Sequence, residues 1–295
     1  MIALGTAQFG TNYGINNNVG SLSTKQCFDL LNTATAHGIN CFDTAPDYGQ
    51  SETVISEWLQ NYNNKETSHI EVVSKIPKLK SDQPAKEAVE RLLQTKNNIT
   101  SSSLKYILLH DELDILKAGV FDAIMKVKGD GFIDKIGVSV YTPEVADVVI
   151  GNFDIDAIQI PINIFDNRMI ISSIIEKCER KKIRIFARSI FLQGLALIET
   201  SKIPQKFEQI RKSKLKIEKI CRDTNWKIKD LCFSYVRSQI ESPTIVIGAE
   251  TKRQIIENSR LKTNQPLEKE IIDEILKIST SISSRVSDPR QWERL

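Results

Sequence analysis

Residues 40–52 read NCFDTAPDYGQSE, and their reading decides the fold. Cys41 and Phe42, just after Ile39, have the composition of a buried strand, yet the run stops on a carboxylate, Asp43. Pro46-Asp47-Tyr48-Gly49 follows with loop composition, placing a phenol five residues past the carboxylate. In a barrel of parallel strands, the C-terminal strand ends carry the chemistry. A core strand that closes on a charged group is what such a barrel requires.

Outward from this stretch, strand-like and helix-like patterns alternate along the chain. Apolar or β-branched runs occur at 2–7, 40–44, 70–76, 104–110, 135–140, 157–162, 183–189 and 244–249. Helical spacing occupies 24–38, 84–96, 112–129 and 168–182, with Gly38, Gly129 and Gly151 expected just past helix ends. Pro84 and Pro143 open helices, where a missing N–H costs nothing. Eight strands, each followed by a helix, predict an α/β fold, a (β/α)₈ TIM barrel. The near-continuous apolar strands agree, since both faces of a parallel sheet are covered. A doubly wound sheet fits less well, because no G-x-G-x-x-G follows the first strand. Two helical patterns, roughly 205–223 and 227–240, separate strands seven and eight, and an extra C-terminal helix is predicted at 267–283. Without a linker or low-complexity segment, residues 1–295 read as one domain.

Composition narrows the function. The net charge of +3 arises from interspersed acidic and basic residues, too weak a bias to imply a nucleic-acid partner. The five cysteines form no C-x-x-C pair and no metal-ligand spacing, so no metal is expected and the thiols read as reduced, in the cytoplasm. No run reaches the roughly 18 apolar residues of a membrane span, and the N-terminus lacks the charged start of a signal peptide. The Asn98-Ile99-Thr100 sequon has no meaning in a cytoplasmic protein.

Strand two ends on Asp43, strand three on Lys75 and strand four on His110. Adjacent strands lie about 4.8 Å apart, so a carboxylate, an ammonium and an imidazole share one side of the barrel mouth, with Tyr48 able to fold over them. A phenol, with a pKa near about 10, is a poor acid at neutral pH, and a neighbouring ammonium favours its phenolate. Asp43 can hold Lys75 charged and in place. His110 can donate to a substrate oxygen or relay a proton. The four together make a proton donor aimed at a carbonyl oxygen; the hydride has to come from a cofactor. Singly, each residue has a plainer reading: Asp43 as a turn residue, Lys75 reaching solvent, His110 in a loop, Tyr48 packing on its neighbours. Their agreement on three consecutive strand ends is what carries weight.

These residues resemble the aldo-keto reductase superfamily, nicotinamide-dependent carbonyl reductases on a (β/α)₈ barrel, over nearly the whole chain. The family's F-D-T-A-x-x-Y-G-x-S-E motif is matched by Phe42 to Glu52, its S-K by Ser74-Lys75 and its L-L-H by Leu108-Leu109-His110. The resemblance implies Tyr48 as general acid, Asp43 and Lys75 as its tuners and His110 as the orienting donor. It also implies a cofactor contact set. Ser139 and Gln159 match the carboxamide-binding positions, with Val140 where the family has Asn. Arg188 stands where the family often has an aromatic stacked on the nicotinamide, and a planar guanidinium also stacks. Ser189, Phe191, Gln193 and Gly194 match the pyrophosphate segment. Gly248, Ala249, Gln254, Glu257 and Asn258 match the adenosine-phosphate segment, at a helix start that suits a phosphate. Alone, Gln159 would read as a buried core residue and Gly194 as a simple turn. Family precedent favours NADP(H) without excluding NAD(H): Lys252 and Arg253 could meet a 2′-phosphate, Glu250 would repel one, and a solvated helix face is the plain alternative for both cations.

The implied activity is reduction of an aldehyde or ketone, or the reverse. Gln8, Phe9, Asn12, Tyr13, Asp47, Asn163, Phe165, Asp166 and Arg168 are candidate mouth residues, a polar mixture suited to a hydroxylated, sugar-like small molecule. IALGTAQFGTNYGI, GVSVYTPE, ARSIFLQG and DPRQW are similar to bacterial members associated with surface-polysaccharide biosynthesis. A monomer or small homo-oligomer, with no membrane partner, is expected. Two other readings stand beside this one: a non-enzymatic nicotinamide-binding partner protein on the same barrel, and an aldolase-like barrel with Lys75 as Schiff-base nucleophile.

Overall fold

The computed structural model describes residues 1–11, 20, 22–62, 69–99 and 103–294. Asn12, Tyr13 and Thr100 lie outside the described residues. Eight parallel strands close a barrel in chain order: β1 (Ile2–Gly5), β2 (Cys41–Asp43), β3 (Glu71–Ile76), β4 (Leu104–Leu109), β5 (Lys135–Ser139), β6 (Ala157–Pro161), β7 (Arg184–Arg188) and β8 (Thr244–Gly248), with β8 pairing back onto β1. All eight expected strands are present, each trimmed by a residue or two at its ends.

Side chains on a strand alternate between barrel interior and helix layer. Ala3, Cys41, Val73, Leu108, Ala157 and Phe186 form the closed inner layer. Two residues further along the same strands come Gly5, Asp43, Lys75, His110, Gln159 and Arg188, so period two alone lifts the polar set to the mouth. Two residues the other way, Arg184 closes the floor by a bidentate contact to Glu71 (3.0 and 2.8 Å) and a hydrogen bond to the Tyr106 hydroxyl (3.1 Å). The alternate strand residues, such as Leu4, Phe42, Val72 and Ile158, are buried in the larger core beneath the helices.

Those helices are α1 (Thr24–Ala36), α2 (Ser51–Asn61), α3 (Pro84–Asn98), α4 (Val120–Gly129), α5 (Pro143–Asn152), α6 (Arg168–Ile171), α7 (Ile174–Arg180), α8 (Glu208–Thr224), α9 (Ile228–Gln239), α10 (Lys252–Arg260), α11 (Lys269–Ser279) and α12 (Ser284–Ser287). Pro84 and Pro143 sit in the first turns, as expected. Two expected helices are broken. The 112–129 pattern splits into a 3₁₀ turn (Asp114–Leu116) and α4, because Gly119 adopts φ 71°. The 168–182 pattern splits at Ser173, also left-handed (φ 55°), into α6 and α7. Gly38 takes the left-handed turn after α1, but Gly129 and Gly151 lie inside α4 and α5.

α11 is the expected extra C-terminal helix. Beyond it the chain returns to the barrel mouth. Trp292 is buried edge-on against Phe207 (ring centroids 4.7 Å), and Arg290 reaches Glu112 on the β4–α4 loop at 3.0 Å. Among the described residues, no helix is long and apolar enough to cross a membrane.

Candidate active site

The opening stretch accounts for much of the site residue by residue. Phe42 faces outward and meets Trp58 of α2 edge-on at 5.5 Å. Asp43 faces inward. Its backbone carbonyl accepts from the Thr6 amide (3.0 Å) and hydroxyl (2.9 Å), fastening β1 to β2 where the strands end. A hydroxyl relay continues from Thr44 to Ser51 (2.8 Å) and from Ser51 to Thr6 (2.7 Å), docking the start of α2 onto both strands. Pro46 opens the 3₁₀ turn that carries Tyr48. Glu52 turns to β3, accepting from the Ser74 hydroxyl and from Asn98 at 3.2 Å. Burial raises the Glu52 carboxyl above the usual range, and these two hydrogen bonds oppose the shift.

Lys75 is fully buried. Its Nζ donates to Asp43 Oδ1 and to the Thr44 carbonyl, both at 2.9 Å. Burial pulls the ammonium below the usual lysine range; the Asp43 carboxylate works against that pull. Gln159 Nε2 donates to the same Asp43 oxygen at 2.8 Å, so three strands converge on one carboxylate. The Tyr48 ring lies over this pair, with Lys75 Nζ 5.0 Å from its centroid. His110 meets Tyr48 edge-on at 5.9 Å. The expected four residues are thus brought together.

One partner was not anticipated. His110 Nδ1 lies 2.9 Å from Asp47 Oδ2. An ionised carboxylate only accepts, so Nδ1 carries the hydrogen and Nε2 is left for a ligand. The His110 hydrogen bond holds the Asp47 carboxyl below its usual range. Only a pairing across 63 residues reveals this role; Asp47 otherwise reads as one more polar loop residue.

Gly10 and Gly49 set the height of the Tyr48 turn. Gly49 adopts φ 61°, and a Cβ on Gly10 would lie 2.2 Å from the Tyr48 carbonyl oxygen and 2.6 Å from the Gln50 nitrogen. Gly10→Ala is therefore expected to displace Tyr48. Turnover should fall by about 10²-fold, the cost of misplacing a reacting group by about 1 Å. Near-normal kcat, with a wild-type circular dichroism spectrum, would count against that placement.

A cavity of about 210 Å³ opens beside Tyr48. Of the expected residues, Asp43, Tyr48, Gln159, Arg188, Ser189, Phe191, Gln193, Gly194, Gly248, Ala249, Gln254 and Asn258 line it. Lys75 lies behind Asp43, and Ser139 is buried at the end of β5 without lining the cavity. Glu257 does not line it: its carboxylate is taken by Arg253 (2.9 Å) and Lys229 (3.4 Å). Gln254 spends its side-chain oxygen capping α10, accepting from the Glu250 and Thr251 amides.

Lys252 and Arg253 do not reach the cavity. Lys252 pairs with Asp29 of α1 at 3.0 Å, and Arg253 is 89% exposed. The lining cation at that end is Lys229, from α9, which no strand-end pattern could indicate. Burial raises the Glu250 carboxyl, which also lines the cavity. Of the expected mouth residues, Gln8 lines the cavity. Phe9 and Phe165 are core residues instead, and Asn163 is consumed by the Ser189 carbonyl and the Phe165 amide. Asp166 is buried in a bidentate pair with Arg168.

The barrel mouth thus holds a lysine–carboxylate pair beneath a phenol, with an imidazole alongside. The chain is a member of the aldo/keto reductase family, whose model matches residues 1–280. Carbonyl oxidoreduction with a nicotinamide cofactor is the chemistry of that family. No curated protein sequence matches the chain significantly. Among solved structures, an aldo-keto reductase from Bacillus halodurans in its holo form aligns with a TM-score of 0.76 at 17% identity, covering 97% of this chain and 95% of that one. The glycerol dehydrogenase of Gluconobacter oxydans aligns with a TM-score of 0.74 at 20% identity, covering 98% and 94%. At such identities the likeness speaks for the fold alone.

Proposed function

We propose that this chain reduces the carbonyl of a polar, sugar-like aldehyde or ketone using NADPH or NADH, or catalyses the reverse oxidation. The observation that carries this reading is the Tyr48 ring seated over an Asp43-anchored, fully buried Lys75. When bound, the cofactor supplies a hydride to the carbonyl carbon. Tyr48 gives its hydroxyl proton to the carbonyl oxygen, leaving a phenolate. The Lys75 ammonium stabilises that phenolate, and Asp43 and the Thr44 carbonyl keep the ammonium fixed so that little reorganisation is needed. His110, whose Nδ1–H is held by Asp47, presents Nε2 to the substrate, accepting from a hydroxyl when the ring is neutral and donating to an oxygen as imidazolium.

The residues present suit a nicotinamide dinucleotide. Buried polar atoms without a partner among the described residues include Ser139 Oγ, Gln8 Oε1 and Arg188 Nε. The backbone at Ser189, Leu192, Gln193 and Gly194 is left-handed, the kind of turn whose amides form an anion-binding concavity. We assign Ser139 and Gln159 to the carboxamide end, Arg188 to the ring, Ser189 to Gly194 to the diphosphate, and Gly248, Ala249, Gln254 and Asn258 to the adenosine end. The polar neighbours of Tyr48, namely Gln8, Asp47 and His110, support a hydroxylated substrate. The five unpaired cysteines agree with a reducing compartment such as the cytoplasm.

The test is a fluorescence titration with both cofactors, followed by a panel of aldehydes and sugars scored by loss of dihydronicotinamide absorbance. Binding without multiple turnover across the panel would favour the partner-protein reading. We keep NADP(H) as the preferred cofactor, with Lys229 as the cation at the adenosine end and Glu250 opposing it. Glu250→Lys should strengthen NADPH binding relative to NADH by about tenfold or more, since unit charges about 4 Å apart interact by about 4 kcal/mol at an effective dielectric near 20, before screening. Arg253→Ala should leave the ratio unchanged, because that side chain points to solvent. An unaltered ratio in Glu250→Lys would remove this segment from the 2′ position.

A further inference from the structure

The floor of the cavity carries a positive charge that the described residues do not neutralise. Asp43 is already committed to Lys75 and Gln159. Arg188, two residues past Phe186 on β7, faces the same cavity. Among the described residues no carboxylate forms an ion pair with it. Its contacts are long and uncharged: Nη2 donates to the Val140 carbonyl at 3.3 Å and Nη1 to the Ser189 hydroxyl at 3.5 Å, while Nε is buried without a partner.

The neighbouring guanidinium shows the contrast. Tyr141 has Arg188 4.0 Å and Arg290 3.7 Å from its ring centroid. Arg290 is compensated by Asp288 at 2.7 Å and Glu112 at 3.0 Å; Arg188 has no such carboxylate among the described residues. Glu250 lines the cavity but is remote from this floor. By the β7–β8 register, Ala187 pairs with Ile245, so Arg188 is level with Val246, and Glu250 lies four residues further on.

We propose that Arg188 sets the redox preference of the cofactor site, making the neutral dihydronicotinamide bind more tightly than the positively charged pyridinium and so raising the potential of the bound couple. The inference rests on the nicotinamide reading above. The hydride-bearing ring has to lie beside the carbonyl that Tyr48 protonates. Tyr48, Asp43 and Arg188 line one cavity of about 210 Å³, so that ring shares the cavity with an uncompensated guanidinium. The two cofactor forms differ by one hydride, two electrons and a proton, and hence by one unit of charge on the ring. Their adenosine and diphosphate parts are identical. Like charges at close range repel, and a guanidinium has no neutral form to escape into.

The experiment measures Kd for NADPH and NADP⁺, and for NADH and NAD⁺, by calorimetry on wild type, Arg188→Met and Arg188→Lys. The oxidised-to-reduced Kd ratio should fall by about tenfold in Arg188→Met and stay near wild type in Arg188→Lys, whose charge is kept. Tenfold in this ratio corresponds to about 30 mV in the potential of the bound two-electron couple. A ratio unchanged in a folded Arg188→Met protein overturns the proposal, as does equal weakening of both forms, which would place Arg188 on the diphosphate instead. If wild type binds none of the four nucleotides, the nicotinamide reading itself fails, a result distinct from an unchanged ratio.

Discussion

Tyr48→Phe is expected to lower kcat by at least about 10²-fold, the usual contribution of general acid catalysis, while leaving cofactor Kd and thermal midpoint near wild type. The substitution removes one oxygen and keeps the ring. The ring contacts, over the Lys75 ammonium at 5.0 Å and edge-on to His110 at 5.9 Å, are available to phenylalanine as well. Loss of rate without loss of fold therefore isolates the hydroxyl. Turnover within a few-fold of wild type would remove Tyr48 from the proton-transfer step and leave His110 as the remaining candidate donor.

Lys75→Met should be damaging in two separable ways. It removes the cation that stabilises the Tyr48 phenolate, so kcat should fall on a similar scale. It also leaves Asp43, 4% exposed, with Gln159 as its remaining side-chain donor among the described residues. Breaking a buried pair on one side typically costs about 3–5 kcal/mol, because the other charge is stranded. Urea denaturation should show that loss as a lower midpoint. Adding Asp43→Asn removes the stranded charge and should recover much of the stability, since the amide oxygen can still accept from Gln159. It should not recover activity. A single Lys75→Met variant as stable as wild type would mean that Asp43 is not held as an ion in the native protein.

The strand pattern and the polar strand ends were legible because both are local. Asp43, Lys75, Gln159 and Arg188 each follow a buried residue by two positions, and strand geometry then points them at the same axis. The helix breaks at Gly119 and Ser173 were not legible. Helical periodicity continues across a left-handed residue, because the apolar spacing on either side is unaffected by a single reversed φ.

What the sequence by itself determined is the barrel, its direction, and which four residues meet at its mouth. The tertiary structure alone decided the partners of the long charged side chains. Lys252 went to Asp29 and Arg253 to Glu257, and Lys229 came to the cavity from a helix that carries no strand end. Asp47 took the Nδ1 side of His110, and Arg290 returned from the C-terminal tail to Tyr141 with two carboxylates, leaving Arg188 with none among the described residues. Strand direction and burial follow from spacing along the chain. A lysine or arginine, with several rotatable bonds, goes to whichever opposite charge lies within reach in space, and these pairings join segments up to 178 residues apart.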